Sequence, residues 1–267
     1  NQHAEANTAR LGVSMLKDLF RLQPSLRKLA LDHFLLRIVT TGHQPTIQLL
    51  GQLVEEHPHQ FSDFVVQFKD TLDYLSHLTP TSALSLLRAI APLARSKPDL
   101  KNHAVLVLRK AAFARESDSR VTAVAGLLQL VDSLPDTNLF SESLNLLRRS
   151  MTQEPSVRIQ LYHFLRILFG RHRILRPLIL DLLLPQLVRY HDDDQNQSVP
   201  LKTELCVAPS GVNQEKEQSD LFSQSCFIEP LPTLLETVHR CLSLSSVDEG
   251  GPSFPVLREM TDGIVSR

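Results

Sequence analysis

With 267 residues the chain suits one large domain or two ordinary ones, and a 42% hydrophobic content led by leucine can fill cores of that size. Nine glycines, three tyrosines, no tryptophan and little strand-like alternation favour an all-α protein. A formal charge of −1 gives no global pull toward nucleic acid or membrane, so any basic patch must be local. Cys206, Cys226 and Cys241 lack disulfide or metal-ligand spacing, which fits a reducing compartment. No run of about 18 apolar residues is present, so a spanning helix is not expected. The N-terminus has no charged-then-apolar leader, and Asn1 in place of an initiator methionine reads as the start of a fragment.

Apolar residues recur at helical spacing, and proline, glycine or small polar clusters interrupt them every ten to twenty residues. The pattern predicts helices over 3–22, 24–39, 45–56, 60–76, 80–95, 98–114, 118–132, 139–151, 155–169 and 171–190. Pro24, Pro45, Pro80 and Pro98 stand at first-turn positions. Thr79 and Lys97 precede two of them as starts, and Gly42 and Gly170 read as stops. Short connections make successive helices antiparallel neighbours. Ten of them in series predict an irregular antiparallel α-α superhelix of the ARM/HEAT type. No strict repeat period is visible, and a compact bundle is the alternative. Three regions follow: a solenoid segment over 1–190, an acidic and polar stretch over 191–229, and further helices over 230–267, at about 230–244 and from 254 onward. Inside the middle region, Leu201, Thr203, Leu205 and Val207 alternate with other residues, a weak strand signal. Cys226, Phe227 and Ile228 offer a partner for a small β-hairpin near 200–229.

The helix over 98–114 is apolar nearly all round. Ala104, Val105, Leu108, Ala111 and Ala112 form one stripe at about 100° per residue. Lys110 points away from that stripe, with Leu106, Val107, Phe113 and Ala114 at helical neighbour positions and Arg109 beside it. A lone amphipathic helix would make this second face polar. The pattern therefore predicts a cover over it, from another layer of the chain or from a partner.

No catalytic constellation emerges. The eleven histidines form no HExxH-like set. The triplet Asp192, Asp193 and Asp194 lacks the glycine turn and terminal glutamate of a calcium loop. There is no phosphate-binding glycine loop and no nucleophile elbow, so neither enzyme activity nor a cofactor is expected. Two features suit binding or regulation. Arg148, Arg149, Arg166, Arg171, Arg173 and Arg176 make the densest cationic stretch, able to meet DNA phosphates or simply to face solvent at helix ends. Thr152 and Ser223 each precede a glutamine, a minimal phosphorylation signal that would add about −1.5 to −2 of charge.

Several collinear stretches resemble the Fanconi anaemia group I family. They are NQHA at the start, TLDYLSHLTP (71–80), LLRAIAPLA (86–94), AVLVLRKAAFA with RVTAVAGLLQL (104–130), SVRIQLYHFLR (156–166), PLKTELCV (200–207) and EPLPTLLETVHRCL (229–242). The resemblance implies an internal helical-solenoid segment of a much longer nuclear DNA-repair scaffold. It implies that Lys110, the lysine of the LVLRKA motif, receives a single ubiquitin from a dedicated E2–E3 pair. It further implies pairing with the paralogous Fanconi anaemia group D2 protein near that lysine. The pair would hold double-stranded or branched DNA, and ubiquitin would lock it as a clamp during interstrand crosslink repair. Checkpoint kinases are implied as further partners, and a membrane is not. One family feature is missing: the Ser-Gln cluster after the AVAG helix is replaced here by VDSLPDTNLFSES (131–143), without Ser-Gln. Thr152 falls at another Ser-Gln site of the family. The rival reading is a generic ARM/HEAT-like adaptor whose groove recognises peptides.

Overall fold

The structure, a computed structural model, describes residues 2–134, 137–192, 200–207 and 228–266. It divides into two compact units, Asn1–Leu134 and Pro135–Arg267. The first unit holds α1 (Gln2–Leu22), α2 (Pro24–Thr41), α3 (Gln44–Glu56), α4 (Val65–Asp73), α5 (Pro80–Ser96), α6 (Pro98–Ala111) and α7 (Ser117–Ser133). Side-by-side packing links α3 to α5 and α5 to α7, while α2 packs on α4 and α4 on α6. These are the two rows of a solenoid, with α2–α3 and α6–α7 joining them as antiparallel pairs. Leu87, Leu108, Val124 and Leu128 lie in the core between the rows, each essentially inaccessible.

Local chemistry sets the helix ends. Gly42 takes a left-handed φ of 60° and its N–H donates to the Ile38 carbonyl at 2.8 Å, which caps α2. Ser82 Oγ then donates to the Gly42 carbonyl at 3.0 Å. Thr79 caps α5 by accepting from the Ser82 N–H. Gly170 differs from its expected role: it lies inside the last turn of α9 (Pro155–Arg171), which ends on His172. The helix expected over 60–76 is also broken up. Pro58–Phe64 and Leu75–His77 are 3-10 turns on either side of α4. Phe61 is held there by stacking on Phe20 at 4.9 Å between ring centroids.

The second unit holds α8 (Thr137–Ser150), α9, α10 (Arg176–Tyr190), α11 (Leu231–Leu244), α12 (Val247–Gly250) and α13 (Ser253–Ser266). Helix α11 packs on α9, and α13 packs on α10 and α11. Most of the β-hairpin expected near 200–229 lies outside the described residues. Thr203–Cys206 winds into a 3-10 turn, and Leu201 forms only an isolated antiparallel bridge with His191. In this turn Cys206 faces inward while Leu205 is exposed. Cys226 and Phe227 lie outside the described residues. Ile228 N–H donates to the Cys206 carbonyl at 2.8 Å.

Candidate functional site

Lys110 occupies the last turn of α6, where a cation suits the negative end of the helix dipole. Leu100, Ala104, Val105, Leu108 and Ala112 are buried, so the core-facing stripe lies as expected, with Ala111 half-buried at its edge. The helix closes just after the lysine. Phe113 N–H donates to the Lys110 carbonyl at 3.1 Å, and Ala114 N–H donates to the Ala111 carbonyl at 3.0 Å. Arg120 of α7 clamps the turn by donating from Nη1 to the carbonyls of Ala114 at 2.6 Å and Arg115 at 2.7 Å. Glycine at position 126 lets α7 come close behind this end of α6. A Cβ there would stand 2.9 Å from Leu108 Cδ2.

Among the described residues the second face of α6 carries no cover at Leu106, Lys110 and Phe113. Lys110 is exposed, and no hydrogen bond or ion pair holds its amine among the described residues. Around it Leu106 is 49% exposed and Phe113 is 56% exposed. Val107, Ala114 and Arg109 are half-buried. The result is a reachable primary amine set in an apolar rim on a fixed helix end.

The arginine stretch does not act as one patch. Arg176 is buried, donates to the Phe169 carbonyl at 3.1 Å and pairs with Glu249. Arg166 pairs with Glu236. Arg166 thus ties α9 to α11, and Arg176 ties α10 to α12. Arg173 stays largely exposed, 3.6 Å from Glu249. Arg148, Arg149 and Arg171 are exposed at the ends of α8 and α9. Thr152 is exposed in the turn after α8, where its hydroxyl donates to the Arg149 carbonyl at 2.8 Å. Ser223 lies outside the described residues.

One buried polar cluster escaped the sequence reading. Glu229, fully buried just before α11, accepts from Tyr162 Oη at 2.8 Å, from Gln186 Nε2 at 2.7 Å and from Arg158. Arg158 also donates to the Ile228 carbonyl. Burial and then the Glu229 charge push the Tyr162 phenol above its ordinary range, and Tyr190 shifts the same way for the same causes. The signal was in α9: Arg158 falls on the same helical stripe as Leu161, Tyr162 and Leu165, where only a paired cation belongs. No group of three or more metal-ligating side chains occurs among the described residues, and no helix of the described residues is long and apolar enough to cross a membrane.

Residues 1–128 match the family model for FANCI solenoid 2, and residues 121–255 match that for FANCI helical domain 2. The Fanconi anemia group I protein of Gallus gallus is 28% identical over 268 residues, which cover 88% of this chain and 19% of that protein. The Fanconi anemia group I protein homolog of Mus musculus is 28% identical over 284 residues, covering 91% of this chain and 20% of that protein. The chain thus spans about a fifth of the length of these relatives. The helical domain model by itself takes in more than half of the 267 residues, and the solenoid model takes in most of the rest. By these matches and its two-row helical stacking, the chain belongs to the Fanconi anemia group I family.

Proposed function

We propose that this chain is the segment of a nuclear DNA-repair scaffold of the Fanconi pathway that accepts ubiquitin, on Lys110. The observation that supports this reading is the exposed amine of Lys110, in the LVLRKA motif, on a capped helix end with an apolar rim. The segment is a substrate and not an enzyme. The Lys110 amine gives up a proton and attacks the activated carboxyl of ubiquitin; the isopeptide bond forms as the E2 thiol leaves. Leu106 and Phe113 make the surface that the paralogous Fanconi anaemia group D2 protein covers. Burying one such side chain is worth about 1.5–3 kcal/mol, so a closed pair would also screen the amine. DNA engagement then serves as the step that exposes it to the E2–E3 pair.

Arg148, Arg149, Arg171 and Arg173 are exposed and would meet phosphates, and each phosphate neutralised would steepen the salt dependence of DNA binding. Phosphorylation of Thr152 by a checkpoint kinase would set negative charge three residues from Arg149 and oppose that contact. The deciding experiment is a reconstituted ubiquitination with DNA, the paralogue and the E2–E3 pair. Lys110→Arg should abolish modification, and Leu106→Asp with Phe113→Asp should weaken pairing with the paralogue. Modification of the Lys110→Arg protein at the parent rate would overturn the proposal.

A further inference from the structure

A groove with both polar and apolar walls runs along α3 and α5 of the first unit, in the row that does not carry Lys110. It holds about 530 Å³ and is lined by Gln44, Gln48 and Gln52 of α3 and by Ser85, Arg88 and Arg95 of α5. Small residues bring the two helices together at its floor: a Cβ on Gly51 would lie 3.2 Å from the Ala89 Cβ.

Two spacings in this groove match an extended polypeptide. The three glutamines stand four residues apart on one helix face, so their amides repeat every ~6 Å along the axis. An extended chain repeats every two residues at roughly 6.6 Å. Arg88 and Arg95 are seven residues apart, roughly 10.5 Å along α5, the span of about three extended residues. Gln48, Gln52 and Arg88 are exposed. Arg95 is oriented by donating from Nη2 to the Ser133 carbonyl at 2.8 Å. Gln44 Nε2 donates to Ser85 Oγ at 2.6 Å, while Gln44 Oε1 is buried and accepts no hydrogen bond among the described residues. Glu55 shares the groove with the two arginines, and no aromatic side chain lines it. The second fact disfavours a nucleic-acid strand, whose bases would find no ring to stack on.

We infer that the α3/α5 groove binds an extended acidic peptide. The glutamine ladder takes its backbone, and Arg88 and Arg95 take two carboxylates three residues apart. The inference stands apart from the Lys110 reading, since neither uses the other's residues. The test is selection of a random 12-residue peptide display library on the 267-residue chain. The expected pool is enriched in Asp or Glu pairs at i and i+3. A fluorescein-labelled peptide made from that pool should bind the chain by anisotropy. Arg88→Ala should weaken it about tenfold or more, and Gln48→Ala with Gln52→Ala should weaken it again. All three side chains are exposed, so thermal unfolding of the variants should match the parent. A pool without acidic pairs, or binding indifferent to Arg88→Ala, would overturn the inference. So would a labelled dT12 strand that outcompetes the peptide through Arg88.

Discussion

Replacing Glu229 with alanine removes the carboxylate on which Arg158, Tyr162 and Gln186 converge. Arg158 is 4% exposed and its Nε already lacks a partner among the described residues, so the guanidinium would stay buried with its charge uncompensated. Breaking a buried ion pair from one side costs about 3–5 kcal/mol. The orphaned phenol and amide each add about 1–3 kcal/mol if they find no new partner. These terms overlap, so a loss of about 4 kcal/mol or more is expected, a large share of the ~5–15 kcal/mol that holds a domain together. Urea unfolding followed by tyrosine fluorescence is the assay. There is no tryptophan to mask it, and two of the three tyrosines, Tyr162 and Tyr190, lie in the second unit. With a slope near ~2 kcal/mol per molar urea, the midpoint should fall by about 2 M. The double substitution Arg158→Met with Glu229→Leu should recover part of that loss, because no unpaired charge remains inside. A midpoint shift under about 0.5 M for Glu229→Ala, or no recovery in the double variant, would refute the reasoning.

Three further outcomes follow from the same packing. Leu108→Ala empties a fully buried site between α6 and Gly126, and should cost about 2–5 kcal/mol while speeding amide exchange in the last turn of α6. Unchanged exchange would mean that Leu108 does not hold the helix end. Burial pushes the Cys241 thiol up to about 12, with Arg166 and Arg176 pulling only weakly the other way. At pH 8 it should react with Ellman's reagent only after unfolding, and reaction in the native chain at a free-thiol rate would contradict that. The Tyr162 phenol has its pKa raised in the folded chain, first by burial and then by Glu229. Its contribution is therefore complete below the unfolded value of about 10 and is lost as pH rises beyond it. The urea midpoint should drop between pH 9.5 and 11, less steeply in Tyr162→Phe, and parallel slopes would exclude Tyr162 as the source.

The helices were legible because proline starts and apolar periodicity are local signals. Thr79 with Pro80 and the left-handed Gly42 act where their chemistry puts them. Local signals misled where a short segment had to satisfy a distant core. The stretch through Phe61 gives up regular helix to stack on Phe20, and Cys206 turns inward where alternation pointed Leu205. The arginines of α9 and α10 looked unpaired because their acids lie far along the chain. Arg158 meets Glu229, Arg166 meets Glu236 and Arg176 meets Glu249, separated by 71, 70 and 73 residues. No spacing rule reaches that far, yet Arg158 on an apolar stripe was a legible demand for such a partner. For Lys110 the periodicity placed the amine opposite the buried stripe, and that face is open among the described residues. What the open face is for came only from the resemblance, since periodicity carries no information about ubiquitin.

The central claim is that Lys110 is the ubiquitin acceptor. Its most direct test is mass-spectrometric mapping of the Gly-Gly remnant after ubiquitination of this chain, embedded in its full-length protein and paired with the paralogue on DNA. Helix α6 also carries Lys101, and Lys97 stands at its N-terminal cap, so the map can discriminate within a single element. The remnant is expected on Lys110. A remnant on Lys97, Lys101 or a lysine elsewhere, with Lys110 unmodified, would contradict it.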